Sequence, residues 1–221
     1  MPAPHFLILT FLLALLDWIA AERRWTRLRY FSKPGVLAAL IAWFTRAVGW
    51  GGLEFWFGLA LVFSLLGDII LMLPARFFLP GLVSFLLAHL CYIVGFTQGG
   101  LPSNPISLGI VVPIAATGAW VFTRIYAGMR ETDQGGKNIL PVIAYSITIS
   151  LMLVSAWLRP FNPALPLNAT LCSALGATLF FLSDSVLAYN RFVRNTPHRD
   201  LVVMSTYHLG QIAIIAGLVL R

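Results

Sequence analysis

The sequence predicts an all-α, polytopic integral membrane protein with eight transmembrane helices, and three observations support this prediction. First, 59% of the 221 residues are hydrophobic and only 10% are charged, so the mean hydropathy is +0.85. A soluble domain could not bury so much apolar surface. Second, apolar segments of about 20 residues, the length that crosses the hydrocarbon core of a bilayer, recur along the chain.

The apolar segments are separated by breaks of proline, glycine or charge. The chain has no Lys or Arg from Met1 to Ala14, so we expect the first segment to be a retained helix and not a cleaved signal peptide. The second begins at Pro34, and Arg46 with three glycines interrupts its far end. Glycines precede the third segment, and proline together with arginine precedes the fourth. Glycine and proline precede the fifth segment, and prolines precede the seventh. Charged residues precede the sixth and the eighth segments. The predicted spans are residues 4–21, 34–50, 53–73, 79–97, 105–126, 139–157, 167–189 and 201–220.

The third observation is that Lys and Arg are distributed unequally between alternate connections. Cytoplasmic loops of membrane proteins carry the excess of positive charge. One set of connections holds twelve such residues and the other holds three, which supports eight spans with both termini outside the cytoplasm. The net charge of +7 therefore indicates membrane topology and not nucleic-acid binding. The twelve are Arg23, Arg24, Arg27, Arg29, Lys33, Arg76, Arg124, Arg130, Lys137, Arg191, Arg194 and Arg199, and the three are Arg46, Arg159 and Arg221.

The connections between the predicted spans are short. The longest, from Met129 to Asn138, is too short for a soluble domain, so residues 1–221 are expected to form a single transmembrane domain. Cys91 and Cys172 lie in apolar segments without CxxC spacing, which indicates buried free thiols. Any function must therefore be carried by the helices, within the membrane or at its surface.

Two similar segments near the ends of the third and seventh helices suggest an internal repeat. Residues 66–71 read LGDIIL and residues 182–187 read LSDSVL, and each segment is followed by a helix that contains a histidine, His89 or His208. A parallel repeat of helices 3–4 and 7–8 would explain this similarity. Convergence of two short motifs is the alternative.

Ionisable side chains inside lipid-spanning helices are costly, so each of them is a candidate functional residue. Asp68 and Asp184 lie at similar depth near the cytoplasmic ends of two helices that run in the same direction. In the eighth helix, Tyr207 and Gln211 share the face that we expect to point toward this layer, whereas His208 is turned away by about 100°. The sequence therefore predicts a polar layer near the cytoplasmic side.

Further polar positions lie on the first, fourth and sixth helices. His89 and Tyr92 belong to one stripe of the fourth helix, and Tyr145 begins a mildly polar stripe of the sixth. We place Asp17 at the membrane interface. Structural explanations stay open for all of these side chains: the aspartates as caps or partners of arginines, the histidines as interhelical hydrogen-bonding groups, and the aromatic residues as packing.

Paired carboxylates favour acid/base hydrolysis. In a confined site of low dielectric constant, one carboxyl group can stay protonated as an acid while the other is ionised as a base. The spacings HxxxH and HExxH are absent, which argues against a zinc hydrolase, and we expect no metal ion and no cofactor. The absence of a GxSxG elbow and of a phosphate-binding P-loop argues against serine acyl transfer and nucleotide hydrolysis.

The motifs, in this order, resemble those of the YhhN-like membrane proteins, a family whose animal members include lysoplasmalogenases. The resemblance extends from about residue 33 to residue 215. The family's tyrosine-rich pattern before Gln211 is partly replaced by His208, which leaves the role of that histidine open. The resemblance is carried by Lys33-Pro34 and by residues 64–71 (SLLGDIIL), 85–92 (FLLAHLCY), 141–152 (PVIAYSITISLM), 182–192 (LSDSVLAYNRF) and 207–211 (YHLGQ).

This resemblance implies hydrolysis of the vinyl ether bond of a lysoplasmalogen, which gives a fatty aldehyde and glycerophospho-ethanolamine or -choline. It implies that Asp68 and Asp184 are the catalytic acid/base pair, without deciding which is the acid. The lysophospholipid would come from the bilayer, with its chain between helices and its phosphate near Lys33 and Arg191. The implied substrate-binding residues are Lys33, His89, Tyr92, Tyr145, Asn190, Arg191, Tyr207 and Gln211.

We therefore expect an enzyme of the inner (plasma) membrane of a bacterium, with its active site toward the cytoplasmic side. One alternative is a lipid or small-molecule transporter with proton-coupled membrane carboxylates, because paired carboxylates and parallel repeats also occur in transporters. Another is a structural or lipid-binding membrane protein. Formation of a product distinguishes the enzyme from both alternatives.

Overall fold

The computed structural model describes residues 3–100, 102, 105–131 and 135–221. Within these ranges the chain forms eight long α-helices and two short 3₁₀ segments, and contains no strand. The all-α prediction is therefore confirmed. The helices are α1 (Pro4–Glu22), α2 (Thr26–Ala47), α3 (Glu54–Leu71), α4 (Phe78–Thr97), α5 (Pro105–Arg130), α6 (Gly135–Leu158), α7 (Leu167–Phe192) and α8 (Arg199–Val219).

Seven helices of the described chain have the length and apolar composition that a membrane span needs. The remaining helix, α2, has 22 residues, but Arg27, Arg29, Lys33 and Arg46 lower its mean hydropathy. These helices confirm the prediction of a polytopic membrane protein. Within the predicted connection 129–138, residues 132–134 lie outside the described ranges, and α6 already begins at Gly135.

Helix α2 begins at Thr26, eight residues before the start that the sequence predicted at Pro34. The predicted start was wrong because the basic run before Pro34 was assigned to a loop. Arg29 and Lys33 instead lie one turn apart on the same face of α2, and each of them pairs with carboxylates of other helices. Pro34 lies inside the helix, where its missing N–H leaves the carbonyl group of Tyr30 without its usual helical partner.

Helices α7 and α8 approach each other closely at two glycines. A Cβ atom on Gly176 would lie 2.7 Å from the carbonyl oxygen of Gly210, and a Cβ atom on Gly210 would lie 2.8 Å from the carbonyl oxygen of Gly176. Small residues allow such backbone contacts between helices in membranes. The contact sets the position of Asp184 on α7 relative to Tyr207 on α8.

Helix α5 lies at the periphery of the bundle. It packs against α6 and α7, and few of its described side chains are buried. The buried ones near its end include Ile125 and Met129, which pack with Val142 of α6 and Phe192 of α7. The middle of α5 therefore forms only an outer wall of the bundle.

Odd-numbered helices end, and even-numbered helices begin, at one end of the bundle. We call it the arginine-rich end, because Arg23, Arg76 and Arg194 lie in its connections. Asp68 lies about one turn before the end of α3 and Asp184 about two turns before the end of α7. Both carboxylates are therefore near this end, whereas a parallel repeat of the two helix pairs stays a prediction.

Candidate active site

A cavity of about 260 Å³ lies between α2, α3, α7 and α8 near the arginine-rich end. Asp68 and Asp184, the two carboxylates selected from the sequence, both line this cavity. Lys33 and Tyr207 line it as well. Four of the residues predicted from the sequence thus lie around one space, which we call the polar cavity.

Asp68 is almost completely buried and has partners on two other helices. Lys33 Nζ of α2 lies 3.2 Å from Asp68 Oδ1, and the Tyr207 hydroxyl of α8 donates a hydrogen bond of 2.9 Å to Oδ2. Only 1% of Asp68 is exposed. A charge buried to this extent requires a charged or hydrogen-bonded partner. Asp68 is therefore held as one half of an ion pair in the wall of the polar cavity.

Asp184 lies in contact with a tyrosine and a histidine. The Tyr145 hydroxyl of α6 donates a hydrogen bond to Asp184 Oδ2, and His89 Nε2 of α4 lies 3.2 Å from the same oxygen. His89 Nε2 also lies 2.9 Å from the Tyr145 hydroxyl, so the three groups form one cluster. Among the described residues, no Lys or Arg lies within ion-pair distance of Asp184. The two carboxylates of the polar cavity thus have chemically different surroundings.

Tyr92 and Gln211 lie behind the polar cavity, about one helical turn beyond Asp68 and Tyr207. Tyr92 of α4 donates a hydrogen bond to Gln211 Oε1, and Gln211 Nε2 donates one of 2.9 Å to Ser64 Oγ of α3. These three side chains are fully buried, and none of them lines the polar cavity. They connect α3, α4 and α8 beneath the site.

Asn190 and Arg191 lie near the end of α7. Asn190 Oδ1 accepts hydrogen bonds from the Thr196 amide (2.6 Å) and hydroxyl (2.9 Å), and Nδ2 donates to the Val186 carbonyl oxygen at 2.8 Å. The Asn190 side chain therefore holds the α7–α8 connection. The Arg191 guanidinium lies 4.0 Å from the ring centroid of Phe78, at the edge of the same region.

Two charged residues of the polar cavity, Arg29 and Asp200, were not identified as site residues from the sequence. Arg29 lies between two carboxylates, with Nε 3.8 Å from Asp17 Oδ1 and Nη1 3.5 Å from Asp200 Oδ2. Both Arg29 and Asp200 line the cavity. From the sequence alone, the Lys and Arg residues before Pro34 count as loop charges that set the membrane topology. The spacing of four positions between Arg29 and Lys33 is the signal that places both on one helical face.

Asp17 and His208 lie outside the polar cavity. The early start of α2 covers Asp17, which is fully buried and accepts a hydrogen bond of 2.7 Å from the Ser32 hydroxyl. Its position at the membrane interface stays a prediction. His208 faces α1, where its Nδ1 accepts a hydrogen bond of 3.1 Å from the Trp18 indole. These contacts join α1 to α2 and α8.

The side chains around the polar cavity can both donate and accept protons. They comprise three carboxylates, an ammonium group and two phenols, and the His89 imidazole and the Tyr145 phenol contact Asp184 from behind the cavity wall. Carboxyl groups, imidazole and phenol are the usual groups of general acid/base catalysis. Within the described part of the chain, no group of three or more His, Cys, Asp or Glu residues is close enough to hold a metal ion.

The chain is similar to a family of membrane proteins and to several curated proteins. The profile of the YhhN family matches residues 28–218. A lysoplasmalogenase of Homo sapiens is 35% identical over 155 residues, which are 70% of this chain and 59% of that protein. A lysoplasmalogenase of Mus musculus is 32% identical over 211 residues (94% of this chain and 82% of that protein). One of Mycobacterium tuberculosis is 29% identical over 168 residues (73% and 59%). No solved structure matches the chain.

Proposed function

Because the chain belongs to the YhhN family of membrane proteins, we propose that it is an intramembrane hydrolase of lysoplasmalogen-type lysophospholipids. It cleaves the vinyl ether bond and releases a fatty aldehyde and glycerophospho-ethanolamine or -choline. The observation that carries this proposal is that Asp68 and Asp184 line one cavity with different partners. The names of the human, mouse and mycobacterial relatives support the choice of substrate.

The different partners of the two carboxylates suggest which of them is the acid. The ion pair with Lys33 favours the ionised form of Asp68. Asp184 has no cationic partner among the described Lys and Arg residues, so we assign it as the neutral carboxylic acid. Its contacts with Tyr145 and His89 both use Oδ2, which leaves Oδ1 to carry the transferred proton.

The reaction then needs four proton transfers. Asp184 protonates the alkene carbon that is not bonded to oxygen, and the carboxylate of Asp68 stabilises the resulting oxocarbenium ion. Water adds to this cation and gives one proton to Asp68, which forms a hemiacetal. As the hemiacetal collapses, Asp68 protonates the departing glycerol oxygen, and the hemiacetal hydroxyl proton returns to Asp184. The sum of these steps is the addition of one water molecule.

The phosphate of the substrate requires positive charge near the polar cavity. The Arg29 side chain is 22% exposed and lies one turn nearer the arginine-rich end than Lys33, whose side chain is 8% exposed and paired with buried Asp68. We therefore assign the phosphate chiefly to Arg29, which would exchange its contact with Asp200 for the phosphate. Arg191, at the end of α7, lies close enough to the Asp184 region to contribute. Both arginines belong to the arginine-rich end, where a lipid headgroup would lie.

Release of aldehyde from purified protein tests this proposal. In proteoliposomes supplied with vinyl ether lysophospholipids, mass spectrometry should detect aldehyde and the glycerophospho product. Asp68→Asn and Asp184→Asn should each lower the rate by at least about a hundredfold. Glu54→Gln, at the opposite end of the bundle where Glu54 pairs with Arg221, is the matched control and should stay active.

Two results would contradict the proposal. Full activity of a folded Asp68→Asn or Asp184→Asn variant would remove that carboxylate from the mechanism. Flux of lipid or proton across the vesicle membrane without any product would instead favour a transporter. Thermal unfolding of each variant, compared with the wild-type protein, distinguishes a catalytic defect from a folding defect.

A further inference from the structure

We propose that the apolar pocket between α4, α5, α6 and α7 holds the alkenyl chain of the substrate. This inference rests on the proposed hydrolase activity and specifies where the hydrophobic part of the lipid lies. The pocket has a volume of about 60 Å³ and is partly open at the surface of the bundle. It is separate from the polar cavity but touches it. Its apolar walls include Phe78, Leu82, Val121, Phe122, Ile125 and Val142.

The apolar pocket and the polar cavity meet at Asp184. Both spaces are lined by this residue and by Leu71, Phe85 and Leu187. Tyr145, the hydrogen-bond donor to Asp184, also lines the apolar pocket. The carboxyl group that we assign as the acid therefore lies at the boundary between a charged space and a predominantly apolar one.

A vinyl ether lysolipid is divided in the same way into a polar part and an apolar part. Its phosphate and glycerol are polar, its chain is apolar, and the bond to be cleaved joins the two parts. With the polar part beside Arg29 and Lys33 and the chain in the apolar pocket, the reactive bond lies at Asp184. Other placements bring either the chain to charged groups or the phosphate to apolar walls, and both cost free energy.

The direction of the pocket agrees with that of a lipid in a bilayer. Arg191 and Phe192 line its part near the arginine-rich end, and Gly118 and Ser150 line its other part. Ser150 lies five residues beyond Tyr145 on α6, which is about 7 Å further from the arginine-rich end. A chain that follows the pocket from Asp184 thus points toward the middle of the membrane.

Binding in this pocket positions the chain but adds little to the binding free energy. Lipid tails are as apolar as the side chains of the pocket, so transfer of the chain from the bilayer has little hydrophobic driving force. Holding the chain, however, fixes the vinyl ether carbon beside the Asp184 carboxyl group, and such positioning contributes strongly to rate. A blocked pocket should therefore lower the turnover of long-chain substrates and spare short-chain ones.

Two identical substitutions in α5 test this inference. Val121 lines the pocket, whereas Val112 of the same helix is 70% exposed and does not. Val121→Trp should lower kcat/KM for a hexadecenyl lysophospholipid by about tenfold and change that for a butenyl analogue by less than about twofold. Val112→Trp should leave both substrates within about twofold of the wild-type values. Ser150→Phe, at the inner part of the pocket, is a second blocking variant in case Val121→Trp does not fold.

A photoreactive ligand locates the chain without any turnover. A saturated hexadecyl ether lysophospholipid with a diazirine in the middle of its chain should crosslink to α5 and α6 within residues 118–125 and 142–150. Crosslinks confined to residues that do not line the pocket, or equal loss for both chain lengths in Val121→Trp, would overturn the inference. If the wild-type protein releases no aldehyde, the proposed hydrolase fails, and the crosslinking result still decides whether the pocket binds the chain.

Discussion

Lys33 and Asp68 form an ion pair inside the helix bundle, 3.2 Å apart and almost without exposure. Such a pair loses hydration, so its net contribution to stability is small while both partners are present. Removal of one partner leaves the other charge buried and unpaired, which costs much more. Tyr207 donates to the same carboxylate and can compensate only a part of this loss.

We expect Lys33→Met to lower the free energy of unfolding by about 3–5 kcal/mol. The double variant Lys33→Met/Asp68→Asn should recover most of this loss, because it removes both charges. Denaturant unfolding in detergent measures both values, with Arg23→Met, an exposed arginine at the same end, as the control. Equal destabilisation in the single and double variants would show that the ion pair is not the cause.

The candidate residues could be selected from the sequence, but their partners could not. Asp68 and Asp184 are conspicuous because carboxylates are rare in apolar segments. Which cation neutralises Asp68 depends on how α2 packs against α3, and this contact joins residues 35 positions apart. Arg29 was missed because the sequence pattern of a basic residue near a membrane surface is the same whether the residue sets the topology or lines a cavity.

At the scale of helices, α7 and α8 carry about half of the candidate site, and their backbones touch at Gly176 and Gly210. The contact requires the absence of side-chain atoms on both glycines. Any larger residue must separate the helices, which moves Asp184 away from Tyr207. The geometry of the site is thus coupled to the packing of one helix pair.

Gly210→Val should therefore strongly reduce both folding yield and activity. The added Cβ atom would lie 2.8 Å from the Gly176 carbonyl oxygen and 2.9 Å from the Phe180 amide nitrogen, and neither backbone atom can move independently. Gly109→Val in α5 is the control, because no atom lies within 4 Å of a Cβ atom there. The amount of monodisperse protein and its melting temperature are measured, and equal yields for the two variants would contradict this account.

The helices themselves were largely predictable, with one informative failure. Apolar length identifies α3 and α4 within three residues of their observed ends, because lipid-facing helices need apolar surface on most sides. The start of α2 was misplaced because its first two turns are charged. In those turns Arg29 and Lys33 pair with acidic residues of neighbouring helices, and no local sequence pattern contains that information.

At the scale of the whole molecule, the arginine-rich end also defines an orientation. Cytoplasmic loops retain Lys and Arg during insertion. We therefore expect the arginine-rich end, and with it the polar cavity, to lie on the cytoplasmic side. This places both ends of the chain on the opposite side of the membrane.

Labelling of single cysteines in intact cells tests this orientation. In a Cys91→Ala/Cys172→Ala background, a membrane-impermeant maleimide should label Gly51→Cys, in the connection between α2 and α3. It should label Asn195→Cys, in the connection between α7 and α8, only after the cells are permeabilised. Both positions are exposed, so accessibility to the reagent depends on the side of the membrane. The reverse pattern would invert the predicted topology.

If the proposed hydrolase binds its lipid as we infer, the meeting of one charged cavity and one apolar pocket at Asp184 limits how many tails the lipid can have. In that arrangement the apolar pocket takes one chain beside the acid. A lipid with a second chain on the neighbouring glycerol carbon would have to press it against Lys33, Asp68 and Arg29. The proposed hydrolase therefore selects single-tailed lipids through the charge of its headgroup compartment, independently of any contact that recognises a free hydroxyl group.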